Sequence, residues 1–141
     1  MAGQTSTLAK NLNQESRMKK ISTSLAPSAI GPYSQAMVSG SWLFTSGQIA
    51  LIPETGVLVQ GDITAQTQQV LKNLDALLSE AGTSWDRVVK ANVLLVDMQD
   101  FVTFNQIYEQ HLQGARPART TSAVAALPKG ARIEIDVVAE I

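Results

Sequence analysis

Arg119 stands two residues after Pro117 in "RPARTTSAV", at the expected mouth of a strand. Its planar guanidinium can hold a carboxylate through two parallel hydrogen bonds, or it can be an exposed edge cation or the structural partner of Glu134. Glu134 lies in "RIEIDVVAEI", where Ile133, Ile135, Val137, Ala139 and Ile141 alternate onto one strand face. Glu134 and Asp136 share the other face with Val138. In a crevice, desolvation raises a carboxyl pKa toward neutrality and suits it to general acid–base work; a solvated carboxylate has no such property. Asn105 falls on the same helical stripe as Phe101 and Leu112, so its amide needs a neighbouring backbone group or a ligand.

Other residues have the right chemistry for lining a site. In "TSGQIA", Ser46-Gly47 follows a strand, and a glycine there allows a close backbone approach and offers an N–H to an anion, or marks a simple bulge. In "GPYSQA", Gly31-Pro32 sets a turn that delivers Tyr33 to the start of a strand, its hydroxyl either contacting a ligand or facing solvent.

Composition removes several alternatives. The chain has 141 residues, no cysteine, a single histidine and a formal charge of −1. Thiolate zinc sites, cysteine nucleophiles and disulfides are excluded. Any histidine-based triad must use His111, which lies in a helical stretch. Neutral charge without a basic run argues against a nucleic-acid footprint. No apolar run approaches the roughly 20 residues that span a bilayer.

These candidates need elements to position them. "KKISTS", "PYSQAMVSG" and "SWLFTSGQIAL" read as strands, the last two joined at Gly40-Ser41. Asp62 offers an N-cap to a helix whose stripe runs through Ile63, Val70, Leu71, Leu74, Leu77, Leu78 and Ala81, with Gly82 as its stop. Residues 88–96 form a strand with Val89, Ala91, Val93 and Leu95 on one apolar face. A second helix covers about 100–113, with Phe101, Phe104, Tyr108 and Leu112 on one stripe. Strands at 119–127 and 132–141 are expected to pair as a hairpin through the "PKG" turn. The sum is a single-domain α/β sandwich over residues 19–141, a sheet with two helices on one face. Because residues 88–96 are apolar on much of both faces, the uncovered face predicts a homo-oligomer with sheets turned inward.

Residues 1–18 are rich in Ser, Thr, Gln and Asn and lack the apolar block of a secretory signal. They read as a flexible leader, with a mitochondrial presequence as the alternative, since Lys10, Arg17, Lys19 and Lys20 face a single acid, Glu15. The expected compartment is the cytoplasm, or the mitochondrion if the leader is a native presequence.

Taken together, "IGPYSQA", "WLFTSGQI", "FNQIYEQ", "RPART" and "LPKGARIEI" resemble the Rid (YjgF) family of reactive intermediate deaminases, most closely its RidA-like branch. The resemblance covers residues 19–141. It implies a chorismate-mutase-like α/β fold, assembled as a homotrimer with clefts between subunits. It implies cofactor- and metal-independent hydrolysis of short 2-imino acids, the tautomers of enamines such as 2-aminoacrylate, to 2-oxo acids and ammonia. By the same resemblance Arg119 would bind the substrate carboxylate with the Gly47 amide, Tyr33 and Ser46 would line the cleft, and Asn105 would shape it. Glu134, with the backbone carbonyl near Thr121, would position the attacking water. Thr121 replaces the cysteine of many relatives, so redox behaviour of that thiol is lost. Ser122 replaces an apolar residue, which can loosen packing or alter the cleft. The competing functions are a non-catalytic trimer that binds 2-oxo acids or similar small metabolites, and a ribonuclease or translation inhibitor.

Overall fold

A computed structural model describes residues 17–141; residues 1–16, and with them most of the expected leader, lie outside the described residues. The chain runs β1 (Met18–Ile21), β2 (Ala36–Ser39), β3 (Trp42–Thr45), α1 (Ile63–Glu80), β4 (Val88–Leu95), α2 (Phe101–Leu112), β5 (Ala118–Ala123) and β6 (Ile133–Glu140). The strands form one sheet in the order β1-β2-β3-β6-β4-β5. Only β4 and β5 pair in parallel, joined through α2 as a strand–helix–strand unit; the other neighbours are antiparallel.

Local chemistry explains the elements. The Asp62 carboxylate accepts from the N–H groups of Thr64 (3.0 Å) and Ala65 (3.3 Å), so α1 begins there. Gly82 takes a left-handed φ of +77° just past the end of α1. Gly40, at φ +60°, closes the β2–β3 hairpin in the register Ser39 to Trp42. Val70, Leu71, Leu74, Leu77 and Leu78 of α1 and Phe104, Tyr108 and Leu112 of α2 pack on Leu43, Ala91, Val93, Leu95, Ile133, Ile135, Val137 and Ala139. Both helices therefore cover the same face of the sheet, as the sequence suggests.

The opposite face is open. Along it, Phe44 lies beside Val138, Asn92 beside Asp136 and Leu94 beside Glu134. Trp42 and Phe44 are 40% and 48% exposed there, an apolar surface that a second layer would remove from water.

The structure corrects the sequence reading at two strands. Val89 is 43% exposed while Val88 is buried, because a bulge between Val88 and Lys90 inserts one extra residue and reverses the alternation before it. The expected hairpin of the last two strands does not form. β5 lies on one edge of β4 and β6 on the other, with Arg119 opposite Ala91 and Glu134 opposite Leu94. Residues 124–132 instead arch over the end of β4: the Val124 N–H donates to the Leu95 carbonyl, and the Val96 N–H to that of Arg132. A strand as apolar as β4 is central, and both its edges need partners.

Side chains hold the arch. The Arg132 N–H donates to Gln66 Oε1 at 2.8 Å, and its guanidinium grips the buried Asp100 carboxylate with two bonds of 2.8 and 3.2 Å. Among the described residues no helix is long and apolar enough to cross a membrane.

Candidate active site

The predicted site residues fall into two groups on opposite faces of the sheet. The first surrounds Glu134. Residues 46–48 run on from β3 and are stitched to β6, where the Gln48 and Ile135 backbones exchange hydrogen bonds of 2.8 and 3.1 Å. This brings Gly47 against Glu134 so closely that a Cβ on Gly47 would lie 2.7 Å from the Glu134 carboxyl carbon. Only glycine fits without moving the carboxylate, so the backbone of Gly47 forms one wall of the crevice.

That crevice has a volume of about 510 Å³ and is lined by Tyr33, Ser46, Gly47 and Glu134 together with Ile30 and Leu51. Burial pushes the Glu134 carboxyl above the usual carboxylate range, and the charge of Asp136 on the same face adds to the rise. Ser46 is committed to structure: its hydroxyl donates to the Ser34 carbonyl at 2.6 Å and its N–H to that of Gln35 at 3.0 Å. Tyr33 follows Gly31, whose φ of +132° makes the turn, and its hydroxyl accepts from the Ile30 N–H at 3.3 Å.

The second group surrounds Arg119. Its partner across β4 is Ala91, which is buried beneath the helices, so the guanidinium projects to the helix side of the edge strand. It lies 5.0 to 5.7 Å from the ring centres of Tyr108, Phe104 and Phe101. Nη1 donates to Asn105 Oδ1 at 2.8 Å. Three aromatic faces and one amide hold the guanidinium still and leave the rest of its donor fork for an anion. Arg119, Asn105 and Tyr108 line a depression of about 380 Å³ with Arg116 and Glu109. Burial raises the Tyr108 phenol pKa, and the Arg119 charge opposes that rise.

The Asn105 amide oxygen is thus engaged by a side chain rather than by a neighbouring backbone group. Thr121 follows Arg119 on the same face, opposite Val93, and is not among the residues lining that depression. Ser122 is exposed on the edge strand, so the polar substitution removes no packing within the protomer.

Arg119 and Glu134 are not a structural ion pair. They lie on opposite faces, two strands and three residue positions apart, which the standard strand spacing and rise convert to about 14 Å between Cα atoms. The model of the endoribonuclease L-PSP family matches residues 23–141 of this chain.

The chain belongs to the Rid (YjgF) family.

It is 50% identical over 121 residues to the mouse 2-iminobutanoate/2-iminopropanoate deaminase, covering 86% of this chain and 90% of that protein. Identity to the human protein of the same name is 50% over 119 residues, covering 84% and 87%. Among solved structures, the Rid family protein YyfA of Yersinia pestis superposes with a TM-score of 0.86 at 48% identity, covering 88% of this chain and 99% of that one. Escherichia coli TdcF, solved with bound serine, superposes with a TM-score of 0.83 at 39% identity, covering 87% and 98%.

Sequence reasoning selected residues of both groups but missed what surrounds them. The rings of Phe101, Phe104 and Tyr108 read only as a core stripe, although they also embrace Arg119. Pro128 and Lys129 line the Glu134 crevice, and Lys129 holds a left-handed φ of +58°. The signal for them was the "LPKG" run itself. Gln35 gave no signal except its place in "PYSQA".

Proposed function

We propose that this Rid protein is a cofactor-independent hydrolase that converts reactive 2-imino acids such as 2-iminopropanoate and 2-iminobutanoate to 2-oxo acids and ammonia. The observation that carries the reading is the pairing of an immobilised guanidinium with a desolvated carboxylate. One suits a substrate carboxylate, and the other, its pKa raised by burial, suits proton transfer.

The chemistry fits these parts. Arg119 binds the carboxylate, helped by the Gly47 N–H, and so fixes the imine carbon. Glu134 and the Thr121 carbonyl hold a water against that carbon, while Tyr33 and Ser46 line the cleft and Asn105 steadies the guanidinium. As water adds to the protonated C=N bond, Glu134 takes its proton, giving a neutral carbinolamine. Return of that proton to nitrogen lets the C–N bond break as the Glu134 carboxylate takes up the hydroxyl proton, releasing ammonia and leaving the C=O of the 2-oxo acid. Positioning and the relay of the water's two protons suffice, because a protonated imine is already electrophilic.

The separation of Arg119 from Glu134 supports a site completed by another copy of the chain. The apolar patch of Trp42 and Phe44 on the open face supports assembly on that side, and we propose a homotrimer whose clefts join the Glu134 crevice of one subunit to the Arg119 edge of the next. The proposed compartment is the cytoplasm, or the mitochondrion if residues 1–18 act as a presequence.

His111 does not favour the ribonuclease reading. It pairs with Asp75 at 2.8 Å beside Trp85, in a separate depression.

The test is hydrolysis of freshly generated 2-iminopropanoate, followed by loss of imine absorbance. Wild type accelerates it, and Arg119→Ala lowers kcat/KM by about 10- to 100-fold or more, the worth of a lost charge-assisted pair. No acceleration by correctly assembled wild type would overturn the reading in favour of a protein that only binds 2-oxo acids.

A further inference from the structure

Between β1 and β2, residues 22–35 form neither helix nor strand, yet Pro27, Ser28, Ile30 and Tyr33 from this strap make one wall of the Glu134 crevice. A segment without a ladder must satisfy its backbone groups some other way. Much of that task falls to Gln35, which is only 5% exposed.

Gln35 Oε1 accepts from the Thr23 N–H at 2.8 Å. Its Nε2 donates to the carbonyls of Pro27 (2.7 Å), Thr23 (3.0 Å) and Ala26 (3.2 Å). The amide orientation is fixed by chemistry: a backbone N–H can only donate and the carbonyls can only accept. The same residue is tied to the crevice floor, since its own carbonyl accepts from the Ser46 N–H at 3.0 Å, next to Gly47. Gln35 therefore sets the distance between the strap and the segment that carries Gly47 against Glu134.

The crevice is polar at Glu134 and apolar along the strap. Pro27 and Ile30 of the strap line it together with Ile49 and Leu51. A 2-imino acid with its carboxylate at Arg119 and its imine carbon near Glu134 has one remaining substituent, and that apolar stretch is where it extends. A branched four-carbon side chain covers more of that stretch than a methyl group does.

Resting on the proposed deaminase reading, we propose that Gln35 is a positioning residue which, by clamping the 22–35 strap, sets how strongly the site discriminates between 2-imino acids by side-chain length. It borders the crevice, but its amide is spent on backbone groups of the strap rather than on the imine or the water. It acts through the placement of Pro27, Ile30 and Tyr33.

The test compares wild type, Gln35→Glu and Gln35→Met on 2-iminopropanoate and 2-imino-4-methylpentanoate. Gln35→Glu keeps the size but turns lone pairs toward three carbonyl oxygens; Gln35→Met removes every polar atom. In a folded, assembled variant, KM for the longer substrate rises relative to the shorter. The ratio of the two kcat/KM values falls about tenfold, the scale of a lost apolar pocket contact. A merely structural role would lower the active fraction, reducing kcat for both substrates alike and leaving both KM values and the ratio unmoved. That result would overturn the proposal.

Amide hydrogen exchange provides a readout independent of turnover. The Thr23 amide of wild type exchanges far more slowly than a free loop amide, and in either variant residues 23–34 exchange faster while β4 and β6 do not. Loop-like exchange at Thr23 in wild type overturns the clamp even if neither variant folds. If wild type hydrolyses neither imine, the deaminase reading fails on its own. The clamp is then judged by binding of 2-oxobutanoate against 4-methyl-2-oxopentanoate: lost selectivity in the variants supports it, and unchanged selectivity overturns it.

Discussion

Arg119 projects toward the helices from the edge strand β5, whereas Glu134 projects from β6 onto the open face, with β4 between them. A substrate the size of 2-iminobutanoate cannot reach through a sheet. If both residues serve one reaction, they serve it from different copies of the chain.

Mixing two inactive variants checks this directly. In the proposed trimer, Arg119→Ala and Glu134→Gln subunits dissociated and reassembled together form mixed rings in which one cleft joins two unaltered halves. Random assembly then restores about a quarter of wild-type activity, as ring closure requires. If each site lay within one subunit, mixing would restore nothing.

Glu134→Gln separates stability from rate through pH. Because burial and Asp136 raise the Glu134 pKa in the fold, the native chain holds this proton more tightly than the unfolded chain does. The associated stabilisation is complete in acid and is lost as pH rises through the raised pKa. Glu134→Gln should therefore melt above wild type at neutral pH, the difference closing in acid, as thermal melts across pH would record. Activity runs the other way: the wild-type rate falls as pH drops through the raised pKa, and the variant lacks both that limb and most of the rate. Undiminished turnover in Glu134→Gln would remove the residue from the mechanism.

Gly47→Ala should cost activity more than stability. Its Cβ would meet the Glu134 carboxyl group, the free end of a side chain that can swing aside. Thermal melting should stay within a few degrees of wild type, while a carboxylate displaced by about 1 Å lowers kcat by about 100-fold. Equal loss of fold and rate would mean that Gly47 is needed only for packing.

Phe44→Asp should dissolve the assembly. Phe44 lies on the open face beside Val138 and is already half exposed, so a charge there leaves the protomer core untouched. Light scattering should report monomers, with far-UV circular dichroism unchanged and imine hydrolysis lost. A trimer that survives the substitution would place the interface elsewhere.

The sequence by itself determined the elements and the chemical cast. Apolar periodicity marked α1 and α2, Asp62 and Gly82 marked the ends of α1, and Gly40 marked the β2–β3 turn, because capping, helical stripes and left-handed turns are local physics. The "RPART" and "RIEI" runs identified Arg119 and Glu134 as candidates for the same reason: residue type and neighbours are visible in the chain. Sequence adjacency misled where distant segments compete for an edge. Arg119 and Glu134 looked like neighbours across a hairpin, yet β4 lies between their strands, since a strand as apolar as β4 draws partners to both edges. The bulge at Val89 likewise depends on how β4 meets β6, not on the residues of β4 alone. Only tertiary structure placed the aromatic box around Arg119, the contact of Gly47 with Glu134 and the Gln35 clamp. Each joins segments whose meeting is decided by global packing, for which no local periodicity encodes a distance.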